Sequence, residues 1–468
     1  MAMATTLPTA QIGGPAFETL RTAFRGDLIQ PDDPRFEEAR RVYSGGIDRR
    51  PALIARVVDA GDVIAALHYG REAGLPIAVR GGGHHGAGFA TVDDGLVIDL
   101  GRLKGIRVDP TTRTARVEPG CVLADVDHAT HQFGLAIPTG ILGTTGIAGL
   151  TLGGGIGNLT RAYGLTIDNL IEADVVLASG ELVTTDADRH PDLFWALRGG
   201  GGNFGIVTSF LFRLHPVSTI VGGPVFWDLD KSADVLRWYR DFIRDAPPDL
   251  NGWFAFVSVP PVPPFPEHLH GRTMAAVVWC YCGPLEGAEA AFAPIKAFGP
   301  PALFGVQEMP FPALQTAFDP LYPAGLQWQW RADFITSISD EAIVEHVRFG
   351  TQLPTAHSTM HLYPTSGAAQ AVGSNDTAFS YREANWAMVI AGVDPDPANA
   401  QALRDWTTDY WTAIHPYSAG GAYVNMYMEE GHDRVRRSYR DNYERLARTK
   451  ARYDPDNVFR INQNIRPG

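Results

Sequence analysis

The stretch Ile77-Ala78-Val79-Arg80-Gly81-Gly82-Gly83-His84-His85-Gly86 decides how this chain is read. Its apolar start ending in Arg80 has the pattern of a buried strand, and three consecutive glycines then make a turn with no side chains in the way. Backbone N–H groups in such a turn can close on an anion, because glycine allows the positive-φ angles that aim successive amides at one point. A histidine follows the turn directly, so an imidazole stands at its rim.

Working outward, Ala52 to Val58 reads as a strand and Asp59 to Ala73 as a helix, with Asp62 near its start and Gly74 past its end. Pro76 to Arg80 is the next strand, so a small βαβ unit delivers the turn. Downstream, Gly95 to Leu100 is a short strand, Ile106 to Asp109 and Thr114 to Glu118 form a hairpin, and Val122 to Phe133 is helical up to Gly134. A second glycine-rich segment runs from Thr144 to Gly157, where seven of fourteen residues are glycine or alanine, leaving little bulk to fill a core. It reads either as a tightly packed buried turn or as a second backbone approach to the same ligand. Leu170 to Ala178 and Glu181 to Thr184 form another hairpin, and His190 to Leu197 is a short helix leading to a third cluster, Gly199 to Gly205. Ile206 to Leu214 then alternates as a half-buried strand does. Turns alone do not account for three such clusters in about two hundred residues.

The whole chain has 468 residues, which predicts two to three domains, and its 45% hydrophobic and 19% charged content is that of a globular protein with a sizeable core. A net charge of −13 with no dense Lys/Arg run excludes nucleic acid as a partner; the cluster Arg434-Val435-Arg436-Arg437 reads as one solvated helix face. Cys121, Cys280 and Cys282 form neither a disulfide framework nor a metal quartet, so no metal is expected and a reducing compartment is. Met1 to Gly14 has no basic n-region or apolar h-region, and no apolar run approaches the ~20 residues of a membrane span. These features predict a cytoplasmic protein with no membrane partner, as a monomer or homodimer.

Around Pro216 the character changes: the glycine clusters stop and aromatic residues become dense, among them Trp253, Trp279, Tyr281, Trp328, Trp330 and Trp386. Strand patterns at Pro224 to Leu229, Trp253 to Val259, Thr273 to Cys282, Gln327 to Thr336, Ser358 to Tyr363 and Trp386 to Val393 alternate with helices at Ser232 to Arg244, Leu285 to Phe298, Asp340 to Thr351 and Pro397 to Ile414. This predicts an α+β arrangement, an antiparallel sheet with helices on one side.

The turn Arg80 to His84, the segment Gly146 to Gly157 continuing into Tyr163-Gly164-Leu165-Thr166-Ile167-Asp168-Asn169, and the tail Tyr453 to Ile465 together resemble the berberine-bridge-enzyme-like FAD-linked oxidases of the vanillyl-alcohol-oxidase superfamily. The resemblance implies a PCMH-type FAD-binding domain over residues 1–216, an inserted substrate domain over 217–420, and a segment over 421–468 that completes the first. It implies flavin contacts from Arg80, Gly81, Gly82, Gly83, His84 and His85; from Thr144, Thr145, Gly146, Gly149, Gly153, Gly155, Gly157 and Asn158; and from Gly205, Ile206, Val207, Asn462 and Asn464. In that family the histidine after the turn is joined to the flavin 8α-methyl, here His84, while His85 matches a variable position. An imidazole nitrogen is a competent nucleophile toward an electrophilic flavin methide. Leu142 stands where bicovalent members carry a cysteine, so a single bond is implied, and Cys121 reads as structural.

The reaction implied is removal of hydride from a hydroxylated small molecule, sugar-like or phenolic and polyketide-like, with dioxygen as acceptor. Tyr423, in Ala422-Tyr423-Val424-Asn425, resembles the family's Tyr-x-Asn element and is the candidate base. A phenol titrates near ~10, so it needs a polarising neighbour, and Arg331 or Arg382 could serve. Glu383, His361 and Tyr363 lie on or beside strands the family uses as pocket walls and are alternatives. Thr145 matches a position that governs access of dioxygen, where many oxidases have a small apolar residue, so a dehydrogenase with another acceptor stays open. So does a catalytically silent flavoprotein or a carbohydrate-binding module. Gly81, Gly83 and Gly86 also fit G-x-G-x-x-G, but Ala87 to Leu100 has no helical stripe to follow it, against a nicotinamide-binding unit.

Overall fold

A computed structural model describes residues 12–468, and most of the segment read for a leader, Met1 to Gly14, lies outside the described residues. Leu53–Arg56, the helix Ala60–Glu72 and Ile77–Arg80 form the expected unit, and Asp59 caps the helix by accepting from the Asp62 amide at 2.9 Å. Leu96–Asp99 lies between the two strands and pairs parallel with both. Its fully buried Leu96, Val97 and Ile98 suit a strand covered on both faces.

A second sheet of five antiparallel strands takes the spatial order Ile106–Asp109, Thr114–Val117, Ile206–Arg213, Leu170–Val176, Leu182–Thr185. Val117, Val175 and Phe210 of this sheet share one hydrophobic cluster with Tyr439, Leu446 and Ile465, so the C-terminal tail packs into the core of the N-terminal half. The tail is also pinned by charge. The Lys450 ammonium donates to the Asp454 carboxylate (2.6 Å), the Asn203 carbonyl (2.7 Å) and the Phe459 carbonyl (2.9 Å), all out of contact with water.

The third sheet has eight strands and is antiparallel throughout. Period-two alternation separates its faces. Phe254, Val277, Met360, Leu362, Met388 and Ile390 pack under the helices Ser232–Asp245, Asp340–Gly350 and Ala400–Ile414. Trp253, Val278, His361, Tyr363 and Val389 face the other way, onto a cavity.

Two segments depart from their sequence reading: in Arg434 to Arg437, expected as one solvated helix face, Arg434 is buried and paired with Asp333 at 2.6 Å, and the second glycine-rich segment is not a simple turn. Ile147–Gly153, expected as a turn, is a helix, entered from extended Gly146 and ended at Gly154 with φ 143°. Gly146, just before it, comes close to the first glycine turn. A Cβ on Gly82 would lie 2.4 Å from the Gly146 nitrogen, and one on Gly146 would lie 2.3 Å from the Gly82 nitrogen. The third cluster joins the same helix, since Gly199 and Gly201 both donate to the Leu152 carbonyl, at 3.1 and 2.9 Å.

Gly146→Ala must push two backbones apart, and a loss of about 1–3 kcal/mol is expected in denaturant unfolding, with reduced flavin content. Lys450→Met leaves the buried Asp454 uncompensated; a loss of about 3–5 kcal/mol is expected, read as a lowered melting temperature. A melting curve identical to wild type would show that the tail is held by packing alone.

Candidate active site

A cavity of about 680 Å³ lies between the glycine clusters and the open face of the eight-stranded sheet. Its size suits a cofactor or small-molecule site, and its lining is mostly apolar. Gly81, Gly82, Gly83, His84 and His85 line it together with Thr145, Gly146 and Gly149. Gly205, Ile206, Val207, Asn462 and Tyr423 also reach it. No Asp, Glu, Lys or Arg is among the lining residues, so an anion held here must be neutralised by backbone amides.

The two adjacent histidines are used differently. His85 has both ring nitrogens committed: Nδ1 accepts from the Ala87 amide and Nε2 donates to the Val424 carbonyl, each at 3.2 Å. This ties the glycine turn to the tail beside Tyr423. His84 stacks on Tyr43 with ring centroids 3.7 Å apart and planes 16° from parallel. Burial lowers its pKa to about 4, partly offset by a hydrogen bond with the Thr144 backbone. The ring is therefore neutral near pH 7 and keeps a nitrogen lone pair. Thr144 acts through this bond and does not itself line the cavity.

The Tyr423 hydroxyl oxygen accepts from the Gly155 amide at 2.8 Å and from Asn425 Nδ2 at 2.9 Å. Asn425 also donates to the Gly149 carbonyl at 3.1 Å. A Cβ on Gly153 would lie 2.4 Å from the Asn425 amide, and one on Gly154 would lie 3.1 Å from the Tyr423 ring. Gly153 thus makes room for the tail, while Gly155 holds it through its amide and makes room for Thr166; neither lines the cavity, a correction to their reading as flavin contacts. Burial raises the Tyr423 pKa to about 12 against those two hydrogen bonds.

The cationic neighbours expected for Tyr423 lie elsewhere. Arg331 is paired with Glu430 at 3.0 Å, because alternation on Gln327–Ile335 gives the cavity face to Trp328 and Trp330. Arg382 grips both oxygens of Asp168, at 2.7 and 2.8 Å. Glu383 is ion-paired with Arg440, its side chain 48% exposed and off the cavity wall. The catalytic assignments of Arg331 and Glu383 are accordingly corrected. Arg80 turns away from the cavity to Asp99 at 2.8 Å. Gly157 is set against the Thr139 carbonyl, and Asn158 bonds Gln315 and Trp253, so both stand behind the wall. Asn464 borders a smaller cavity of about 510 Å³ beside the main one.

Four lining side chains carry a buried polar atom with no protein partner: Trp328 Nε1, Trp330 Nε1, Tyr439 Oη and Asn462 Oδ1. Buried polar atoms are rarely left unpaired, so these suit a ligand with several hydrogen-bonding groups. Sequence reasoning missed Tyr43 and Tyr439, because neither lies in a patterned stretch that marks it.

The family model described as an FAD binding domain matches residues 51–186, and the one described as berberine and berberine like matches residues 422–466. An uncharacterized FAD-linked oxidoreductase of Bacillus subtilis is 32% identical over 456 residues, covering 96% of this chain and 98% of its own. An FAD-linked oxidoreductase of Dictyostelium discoideum is 31% identical, covering 92% and 94%. Among solved structures, 6-hydroxy-D-nicotine oxidase from Arthrobacter nicotinovorans superposes with a TM-score of 0.85 at 27% identity, covering 95% of this chain and 98% of that one. Similarity of this extent, with the turn and the tail meeting at one cavity, makes the chain a member of the berberine-bridge-enzyme-like family of FAD-linked oxidoreductases.

Proposed function

We propose that the protein is an oxidase that holds FAD through a single covalent bond at His84 and takes hydride from a hydroxylated small molecule, with dioxygen as acceptor. The observation that carries this reading is the contrast between the histidines: His85 is locked by two backbone hydrogen bonds, while His84 presents a neutral ring at the glycine turn. A neutral imidazole is the nucleophilic form, and stacking on Tyr43 fixes its plane. Leu142 lines the cavity where a second linkage would need a thiol, and the Cys121 thiol is buried and pushed up to about 12.

Bound FAD supplies the two-electron acceptor. The chain does the rest. The amides of Gly82, Gly83 and Gly146 neutralise the pyrophosphate, and Asn462 Oδ1 and Tyr439 Oη offer the hydrogen-bonding atoms left unpaired. Tyr423 accepts the substrate hydroxyl proton as its phenolate, the minor form at neutrality, whose charge the Gly155 and Asn425 donors stabilise. Thr145, on the cavity wall, controls the approach of dioxygen.

Acid precipitation of wild type is expected to give a yellow pellet, and of His84→Ala a colourless pellet with flavin in the supernatant; colourless wild-type pellets would refute the bond. With a tyrosine pKa of about 12, the reactive phenolate is scarce at neutrality. Anaerobic flavin reduction should therefore rise about tenfold per pH unit between roughly pH 6 and 9, and Tyr423→Phe should slow it by ~10²-fold or more and flatten that slope. A pH-independent rate in both proteins would remove Tyr423 from the role.

A further inference from the structure

Beyond the flavin turn, the wall formed by the eight-stranded sheet has its own chemistry. His361 and Tyr363 project into the cavity from Thr359–Pro364, and His361 Nδ1 lies 2.5 Å from the Tyr363 hydroxyl. Trp253 packs against both rings, with centroids 4.8 and 5.7 Å away, and Phe318 meets Trp253 edge-on at 5.3 Å. This wall is held rigid from behind. The Trp253 indole N–H donates to Asn158 Oδ1 at 3.2 Å, and Asn158 Nδ2 donates to Gln315 at 2.7 Å.

We propose that this wall is the substrate subsite, and that it takes an uncharged aromatic alcohol or phenol whose second oxygen is hydrogen-bonded by the His361–Tyr363 pair. The inference rests on the oxidase reading above and names the substrate class for that site. Three observations carry it. First, the cavity has no charged side chain in its lining, so an ammonium or carboxylate substrate would be desolvated without a counter-ion. Three of the four lining histidines add no charge near neutrality, since burial holds His84 and His85 at about 4 and His361, on the proposed wall itself, at about 3.

Second, neighbouring hydroxyls on the same wall are already turned to backbone: Thr359 donates to the Phe256 carbonyl at 2.8 Å and Ser358 to the Val393 carbonyl at 3.4 Å. A polyhydroxylated sugar ring needs a dense set of polar partners, which this wall does not supply. Third, the pair holds one proton between Nδ1 and the phenol oxygen, and Nε2 makes no protein hydrogen bond. The pair can thus donate to or accept from one substrate oxygen according to tautomer, while Trp253, 2% exposed, backs the pair and the partly exposed ring of Phe318 with the apolar lining around it takes an aromatic body.

The test measures binding to the holoenzyme calorimetrically under anaerobic conditions with three probes: 6-(hydroxymethyl)-2-naphthol, 2-naphthalenemethanol, and the cation 2-naphthylmethylamine. In wild type the first should bind about tenfold more tightly than the second, and the amine at least about tenfold more weakly than the second. His361→Ala and Tyr363→Phe should both erase the preference for the second oxygen while leaving 2-naphthalenemethanol within about twofold, and His361→Gln should restore part of it. Melting temperatures close to wild type show that the variants fold. A preference that survives in both variants, or an amine that binds as tightly as the alcohol, would overturn the proposal. The expected pattern without any bleaching of the flavin by the alcohols would instead leave the subsite standing and count against the oxidase reading.

Discussion

The contact between Gly82 and Gly146 is the constraint on which the rest of the site depends. Two backbone segments 64 residues apart in sequence touch where neither has room for a Cβ. Because they touch, the helix Ile147–Gly153 starts against the first glycine turn, and its far end can receive the third cluster through the Leu152 carbonyl. Backbone amides from separate segments are then directed at one elongated space. Side chains could not deliver them as closely, since each would add bulk and rotamer entropy where the ligand must lie.

An uncharged lining follows from the same design. With amides doing the work of cations, no guanidinium or ammonium is needed inside, and none is present among the lining residues. Three arginines that neighbour the site in sequence are neutralised elsewhere: Arg80 by Asp99, Arg331 by Glu430 and Arg382 by Asp168. These pairs brace the walls without entering the cavity. The result is a low-dielectric chamber in which His84, His85 and His361 stay neutral and Tyr423 stays protonated, so its reactivity is governed by burial and by the Gly155 and Asn425 hydrogen bonds.

The tail shows how a short segment completes a distant site. Lys450 and Asp454 bury an ion pair against Asn203, and Asn203 in turn bonds the Gly200 and Gln463 carbonyls and accepts from the Ile465 amide. That mesh sets Asn462 at the cavity. Tyr423 and Asn425 are seated by the opposite device, glycines that leave space for them.

From the amino-acid order alone came nearly every strand and helix of the larger sheet, the glycine turns with His84 beside them, and the resemblance that led to the family. These are local signals: period-two and helical alternation, side-chain-poor turns, and short motifs in fixed order. The sequence could not say which side of its strand Arg331 would take once packed, nor where the loops carrying Glu383 and Asn158 would turn, and none of the three enters the cavity. Nor could it show that Gly153 and Gly155 serve the tail, that Tyr43 stacks on His84, or that His85 is fully engaged. Each of those depends on contacts between segments far apart in the chain, where register, burial and the competition for hydrogen-bond partners are settled only when the backbone closes on itself.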